Sequence, residues 1–263
     1  MGSRHGYPVL WRLTEPPPHD GPPLDATAVI VCRLFQRLRG APGFCVSLPA
    51  GETPVPDEAE RCGELVETAR RRLVAGEPET GVDLRVCVVG ADPTPLAFLN
   101  ILGGEATKTA VLELLGWARK HHTGQGVLLM VHRFVAARAT AVARLSDTDT
   151  VRISACWGLG EDLHLPGVHA DTFVLKRSHD GPDLTFAGVD CAIKPWMDVP
   201  AVSGAIRAST PSHLRNVPSL SEEEALDVGR RALTAINLVG HSVPVEFALT
   251  SQGTLLRGTG GGI

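Results

Sequence analysis

Hydrophobic and polar positions along the chain fall into stretches of helical and strand character. Ala28 to Leu38 reads as a short helix that runs into Gly40-Ala-Pro-Gly-Phe-Cys-Val-Ser, a turn entering a strand. Asp57 to Val74 alternates acidic and basic residues around Leu65, Val66, Ala69 and Leu73, the spacing of an amphipathic helix. Leu84 to Val89 is an apolar, β-branched run that predicts a buried strand, broken by Gly90 to Pro95. A helix is expected over Glu105 to His121, with Ala110, Leu112, Leu114, Leu115 and Ala118 as its main apolar content. The second half is richer in strands: Val127 to Val131, Ala139 to Leu145, Val151 to Cys156 and Thr172 to Leu175. Ser146-Asp-Thr-Asp is a turn signal, residues 178 to 184 are another, and Lys194 to Pro218 reads as loop-rich.

Ser221-Glu-Glu-Glu224 is a capping box, in which the serine oxygen accepts from the N3 amide and Glu224 reaches back to the Ser221 amide. The helix it starts is expected to carry Leu226, Leu233 and Ile236 inward and to end near Gly240, before a strand over Val243 to Leu249. Residues 14 to 24 are too proline-rich for helix or interior strand and predict an exposed entry segment. Gly258 to Ile263 reads as a flexible tail, and there is no internal repeat.

Composition narrows the function classes. With 263 residues, 43% hydrophobic and 21% charged, the chain suits one large or two small globular domains. A net charge of -4 gives no basic footprint for nucleic acid. The start, Met1 to Leu13, lacks the basic and apolar regions of a secretory signal, and no apolar run approaches a membrane span, so a cytoplasmic location is expected. Basic residues are arginine apart from Lys108, Lys120, Lys176 and Lys194, a skew that fits a GC-rich genome better than a mechanism. The cysteines, Cys32, Cys45, Cys62, Cys87, Cys156 and Cys191, show no Cys-x-x-Cys spacing, which argues for free thiols over a zinc site or disulfide framework.

The stretch Trp157-Gly-Leu-Gly-Glu161, followed by Gly167, Val168, Asp171 and Phe173, resembles a signature loop of the phosphoenolpyruvate synthase and pyruvate phosphate dikinase family, with one residue fewer between the glycine and the valine. Further segments resemble the same family in the same order. They are Pro42-Gly-Phe44 with Val46, Phe98-Leu-Asn100, Val127 to Ala137, and the capped helix from Leu220 through Pro244, Glu246 and Phe247. The resemblance spans roughly Leu34 to Leu256 and implies an α+β, ATP-grasp-like two-lobed fold with a central cleft. The expected lobes are residues 1–125, the smaller, with the proline-rich entry, and 126–263, the larger, with the glycine-rich tail.

Departures from the family are as informative. Its Gly-Gly-Lys helix start has no counterpart around Val29 to Arg33, where Arg33 is the available cation. Its phosphate-binding arginine falls where Val86-Cys-Val-Val-Gly90 stands, and its magnesium-serving glutamine falls near Arg257 or Gly258, whereas its glutamate is kept as Glu246. Phosphoryl transfer rests on positioning and on cations at the phosphates, and each lost donor costs about a hundredfold or more.

By resemblance Glu246 is a magnesium ligand; as a carboxylate on an apolar strand it is also a candidate acid or base, or the partner of an arginine. Glu161, with Gly158 and Gly160, touches a ribose or nucleobase by resemblance, or the glycines serve only to let the loop turn. His132 and Arg133 are a polar pair on an apolar strand, of which one faces away from the other; a catalytic residue and a satisfied core histidine both stay open. Asp171 and Lys176 match or neighbour family positions. His164 and His169 flank a Pro-Gly turn without a third ligand, His121-His122 suit a helix C-terminus, and Ser212 and Ser221 lack a nucleophile elbow. The expected function is a repurposed, small-molecule-binding enzyme of specialised biosynthetic metabolism, its ligand in the inter-lobe cleft. The alternatives are a minimal Mg-ATP phosphotransferase using Arg33, Arg133 and Glu246, with its acceptor domain on another chain, and a non-catalytic subunit with a partner protein. Neither nucleic acid nor membrane is expected as a partner.

Overall fold

The computed structural model describes residues 9–13, 26–48, 56–77, 79–88, 97–121, 127–161, 163, 168–178, 183–240 and 243–259. The proline-rich entry, the break at 90–95, His122, His164, Gly167 and residues 260–263 lie outside them. The architecture is α+β with antiparallel sheets, and the chain divides into two compact units. The first holds residues 1–134 with 202–204 and 261–263, the second 135–201 with 205–260.

In the first unit the order is β1(Val9–Arg12), α1(Ala26–Arg37), β2(Gly43–Leu48), α2(Pro56–Leu73), β3(Val82–Val88), β4(Ala97–Ile101), α3(Gly104–His121) and β5(Val127–Arg133). Its sheet runs β1-β2-β5-β3-β4. Strand alternation sends Phe44, Val46, Val82, Leu84, Val86, Leu129 and Val131 to one face, where they form a core with Cys62, Val66 and Ala69 of α2 and Ala110, Val111 and Leu114 of α3. Cys45 points to the other face, where its Sγ lies 4.0 Å from that of Cys32 on α1.

The second unit contains β6(Ala139–Asp147), β7(Thr150–Trp157), β8(Asp171–Arg177), β9(Leu184–Asp190), β10(Trp196–Pro200), β11(Ala205–Ser209), a 3-10 turn at Ser212–Leu214, α4(Glu222–Val239), β12(Val245–Thr250) and β13(Gly253–Thr259). Its main sheet runs β13-β12-β6-β7-β8-β9, and β10 and β11 pair separately. One face presents Ala141, Ala143, Ile153, Ala155, Phe173, Leu175, Val245 and Phe247, all buried beneath α4. Gly229 of α4 leaves the room that Leu175 and Leu184 fill. The capping box at Ser221 and Glu224 forms as the spacing predicts, and Gly240 ends the helix. The buried α4 residues are Ala225, Val228, Gly229, Ala232, Leu233, Ala235 and Ile236, and Leu226 is only half-buried. Each large apolar side chain so buried contributes about 1.5–3 kcal/mol.

The expected loop-rich segment Lys194 to Pro218 instead carries the β10–β11 hairpin. Gly258 and Thr259 of the expected tail belong to β13, paired with β12. Strands β1, β4 and β9 also lie where no strand is read from the sequence. No helix among the described residues is long and apolar enough to cross a membrane.

Candidate functional site

The face of the second unit's sheet opposite α4 is where polar residues collect. Glu246 pairs with Val142, Val142 with Ser154 and Ser154 with Thr172, while Thr140 pairs with Cys156 one row away. Alternation turns all of these to the same side. The β12–β13 register shifts at Glu246: Gly258 pairs with Glu246 and Leu256 with Phe247, so Arg257 is the extra residue of a bulge. A bulge re-aims a side chain. Here it delivers the Arg257 guanidinium to the Glu246 side, with Nη1 3.3 Å from Glu246 Oε1. Arg257 is fully buried and Glu246 is 3% exposed.

The Trp157–Glu161 turn lies over the same end of this face. Arg257 Nη1 donates to the Leu159 carbonyl at 2.8 Å, and Thr140 Oγ1 lies 2.9 Å and 3.0 Å from the Gly158 and Leu159 carbonyls. Gly158 N–H donates to Arg138 O and Leu159 N–H to Asp198 O, both at 2.8 Å, and Trp157 Nε1 donates to Leu214 O at 3.0 Å. Gly158 and Gly160 have φ of 78° and 61°. A Cβ on Gly158 would occupy the space of the Asp198 carbonyl oxygen, and one on Gly160 would lie 2.8 Å from Leu163 Cδ1 and 2.9 Å from Thr140 Cβ. Both glycines are thus required by conformation and by space. Leu159 is buried and Glu161 exposed. Burial pushes the Cys156 thiol up to about 12, reinforced by the charges of Asp198 and Asp171 and opposed by Arg257. That thiol is no nucleophile near neutrality.

Asp171 belongs to the other face, in register with Ala155. Its Oδ1 accepts from Lys194 Nζ at 2.5 Å and Ala192 N–H at 3.0 Å, and its Oδ2 accepts from Ser219 N–H and Ser219 Oγ, each at 2.7 Å. The carboxylate therefore ties the start of β8 to the segment entering α4, with the buried Lys194 as counter-ion. Lys176, on the Glu246 face, is held by Thr150 Oγ1 at 2.5 Å.

The remaining sequence candidates lie in the first unit, apart from three in the second. His132 is fully buried, its Nδ1 3.6 Å from Asp83 Oδ2, and Asp83 Oδ1 accepts the Asn100 N–H at 2.9 Å. Arg133 donates to Glu77, and Arg33 is exposed on α1. His121 in the last turn of α3 stacks on Trp117 and contacts its carbonyl at 2.8 Å. In the second unit His169 is exposed, Ser212 sits in the 3-10 turn and Ser221 is the helix cap.

Among the described residues no group of three or more His, Cys, Asp or Glu side chains is arranged to hold a metal ion. Magnesium demands near-octahedral oxygen coordination at about 2.1 Å. Glu246 meets a guanidinium, whose charge opposes a second cation, and joins no such group, so the described residues here do not fit that ion. Arg257, Thr140, Lys194 and Ser219 are the partners that sequence reasoning misses. Only Arg257 carries a signal, its fall near the family's glutamine position. Comparison with protein-family models finds none that matches, and comparison with curated proteins likewise finds no match.

Proposed function

We propose that the chain is a divergent ATP-grasp-like domain of the phosphoenolpyruvate synthase type, repurposed from magnesium-assisted phosphoryl transfer to binding and converting a small molecule in specialised biosynthetic metabolism. The observation that carries the reading is the buried Glu246–Arg257 pair. In the resembled family a glutamate and a glutamine serve magnesium; here the glutamate has an internal cation in its place. At an effective dielectric of 20, unit charges 4 Å apart interact by about 4 kcal/mol, and a dication beside a guanidinium is repelled by about twice that. Glu246 is thus neutralised by Arg257, which also braces the Leu159 carbonyl. The same pairing is open to acid or base work on an organic ligand that reaches Glu246.

A minimal phosphotransferase would call on Arg33, Arg133 and Glu246. Two of these are committed elsewhere, Arg133 to Glu77 and Glu246 to Arg257. Titration of the full chain with Mg-ATP tests the reading. The expected result is no saturable binding at millimolar nucleotide; tight binding with turnover to ADP or AMP would overturn it.

A further inference from the structure

The face of the first unit's sheet turned away from α2 and α3 holds a pair of thiols that the Glu246–Arg257 reading does not use. Cys45 of β2 lies on it, with Met130 of β5 directly opposite. Helix α1 buries Val31, Cys32, Leu34, Phe35 and Leu38, and its Cys32 Sγ stands 4.0 Å from Cys45 Sγ. Both cysteines are fully buried, and they are 13 residues apart in sequence.

A disulfide holds its sulfurs about 2.05 Å apart, so bond formation needs the two to close by roughly 2 Å. Rotation of the two side chains and a settling of α1 toward β2 supply that movement. Burial at both sulfurs keeps a dissolved oxidant out while α1 is docked, so exchange waits on local lifting of the helix. The same burial then shields the finished bond from reductant. Among the other thiols whose side chains are described, Cys62 belongs to the core on the opposite face of the sheet, and Cys156 and Cys191 belong to the second unit. Cys45 is therefore the partner that the fold gives Cys32.

We propose that Cys32 and Cys45 form a redox latch, which a low-molecular-weight disulfide such as oxidised glutathione closes into a bond that pins α1 to β2. One protein thiolate attacks the small disulfide, forming a mixed disulfide and expelling one small thiol. The second protein thiolate attacks the protein sulfur of that mixed disulfide, closing the Cys32–Cys45 bond and releasing the other small thiol. Two protein thiols are oxidised, one small disulfide is reduced to two thiols, and the protons of the protein thiols end on the released ones. The closed loop constrains the unfolded chain and so favours the folded unit.

The test incubates the full chain with oxidised glutathione in the absence of denaturant, traps remaining thiols with N-ethylmaleimide, and maps the unreduced digest by mass spectrometry. The expected result is a peptide pair linked through Cys32 and Cys45, an intact mass lowered by two hydrogens, and faster formation in sub-denaturing urea, where α1 lifts more often. The oxidised chain should unfold at a urea midpoint higher by about 1 M or more, for a loop of this length, and dithiothreitol should reverse the shift. Cys45→Ala should show no such rise and should carry at most a mixed disulfide at Cys32. If that variant does not fold, the wild type's linkage map and midpoint decide by themselves. Absence of the Cys32–Cys45 link under conditions that oxidise the unfolded chain would overturn the proposal. So would a greater yield of links from either residue to another cysteine, or a midpoint unchanged or lowered by oxidation. The assay contains neither nucleotide nor magnesium, so failure here and failure of the Mg-ATP test are separate results.

Discussion

Replacing Gly160 by alanine tests whether the Trp157–Glu161 turn is packed as closely as its hydrogen bonds imply. Gly160 has φ of 61°, and a Cβ there would lie 2.8 Å from Leu163 Cδ1, 2.9 Å from Thr140 Cβ and 3.1 Å from Cys156 Sγ. The left-handed backbone costs an alanine about 1–2 kcal/mol. Overpacking adds about 1–3 kcal/mol more. Leu163 can rotate away, but Thr140 sits on β6 between β12 and β7, with its hydroxyl engaged by the turn. Gly240 supplies the control, with φ of 86° and no neighbouring heavy atom within 4 Å of where a Cβ would stand. Urea unfolding should therefore show a loss of about 2–5 kcal/mol for Gly160→Ala and about 1–2 kcal/mol for Gly240→Ala, read as midpoint shifts at constant slope. Equal losses at the two sites would refute the close packing of the turn on Thr140 and Cys156.

Three further outcomes follow from individual groups. Asp171→Asn strands the Lys194 charge in the interior and should cost about 3–5 kcal/mol in urea unfolding, whereas an exposed-site value below about 1 kcal/mol would deny the latch. Hydrogen bonds from Arg70 hold the Glu67 carboxyl below its ordinary value of 4.5, with burial opposing and Arg71 assisting. The folded value is the lower one, so that stabilisation is present above the unfolded value and is lost as pH falls through the folded one. The destabilisation caused by Glu67→Gln should accordingly be larger at about pH 7 than at about pH 3, and a pH-independent difference would contradict the linkage. With its thiol pushed up to about 12, Cys156 should resist iodoacetamide at about pH 8 in the native protein and react once unfolded, as followed by peptide mass mapping.

Elements with a strong local signature are legible in the sequence, and those defined by partners are not. The capping box at Ser221, the amphipathic stretch 57–74 and the buried run at 84–89 all appear close to their expected bounds, because caps and periodicity are local properties. The β10–β11 hairpin reads as loop because its strands are short, contain Pro200 and leave Trp196 and Ile206 exposed, so no alternation marks a buried face. Strand β13 is hidden by the glycines at its end, although its pairing with β12 supplies what its composition does not. At the site, the choice left open for Glu246 between metal ligand and arginine partner turns on the bulge at Arg257, a feature of register invisible in either strand alone. Asp171 matches the resembled pattern, yet its four hydrogen bonds come from residues 192, 194 and 219, which no spacing rule connects to it.

The central claim is that Arg257 stands where a metal-serving residue would be beside Glu246. It is tested most directly by the magnesium dependence of nucleotide affinity in the wild type and in Arg257→Gln, measured by calorimetry with and without chelator. The account predicts that magnesium leaves the wild type's weak or absent nucleotide binding unchanged, and that any magnesium dependence emerges only in Arg257→Gln. A wild-type affinity for ATP that falls by about tenfold or more on chelation, equivalent to about 1.4 kcal/mol, would contradict it.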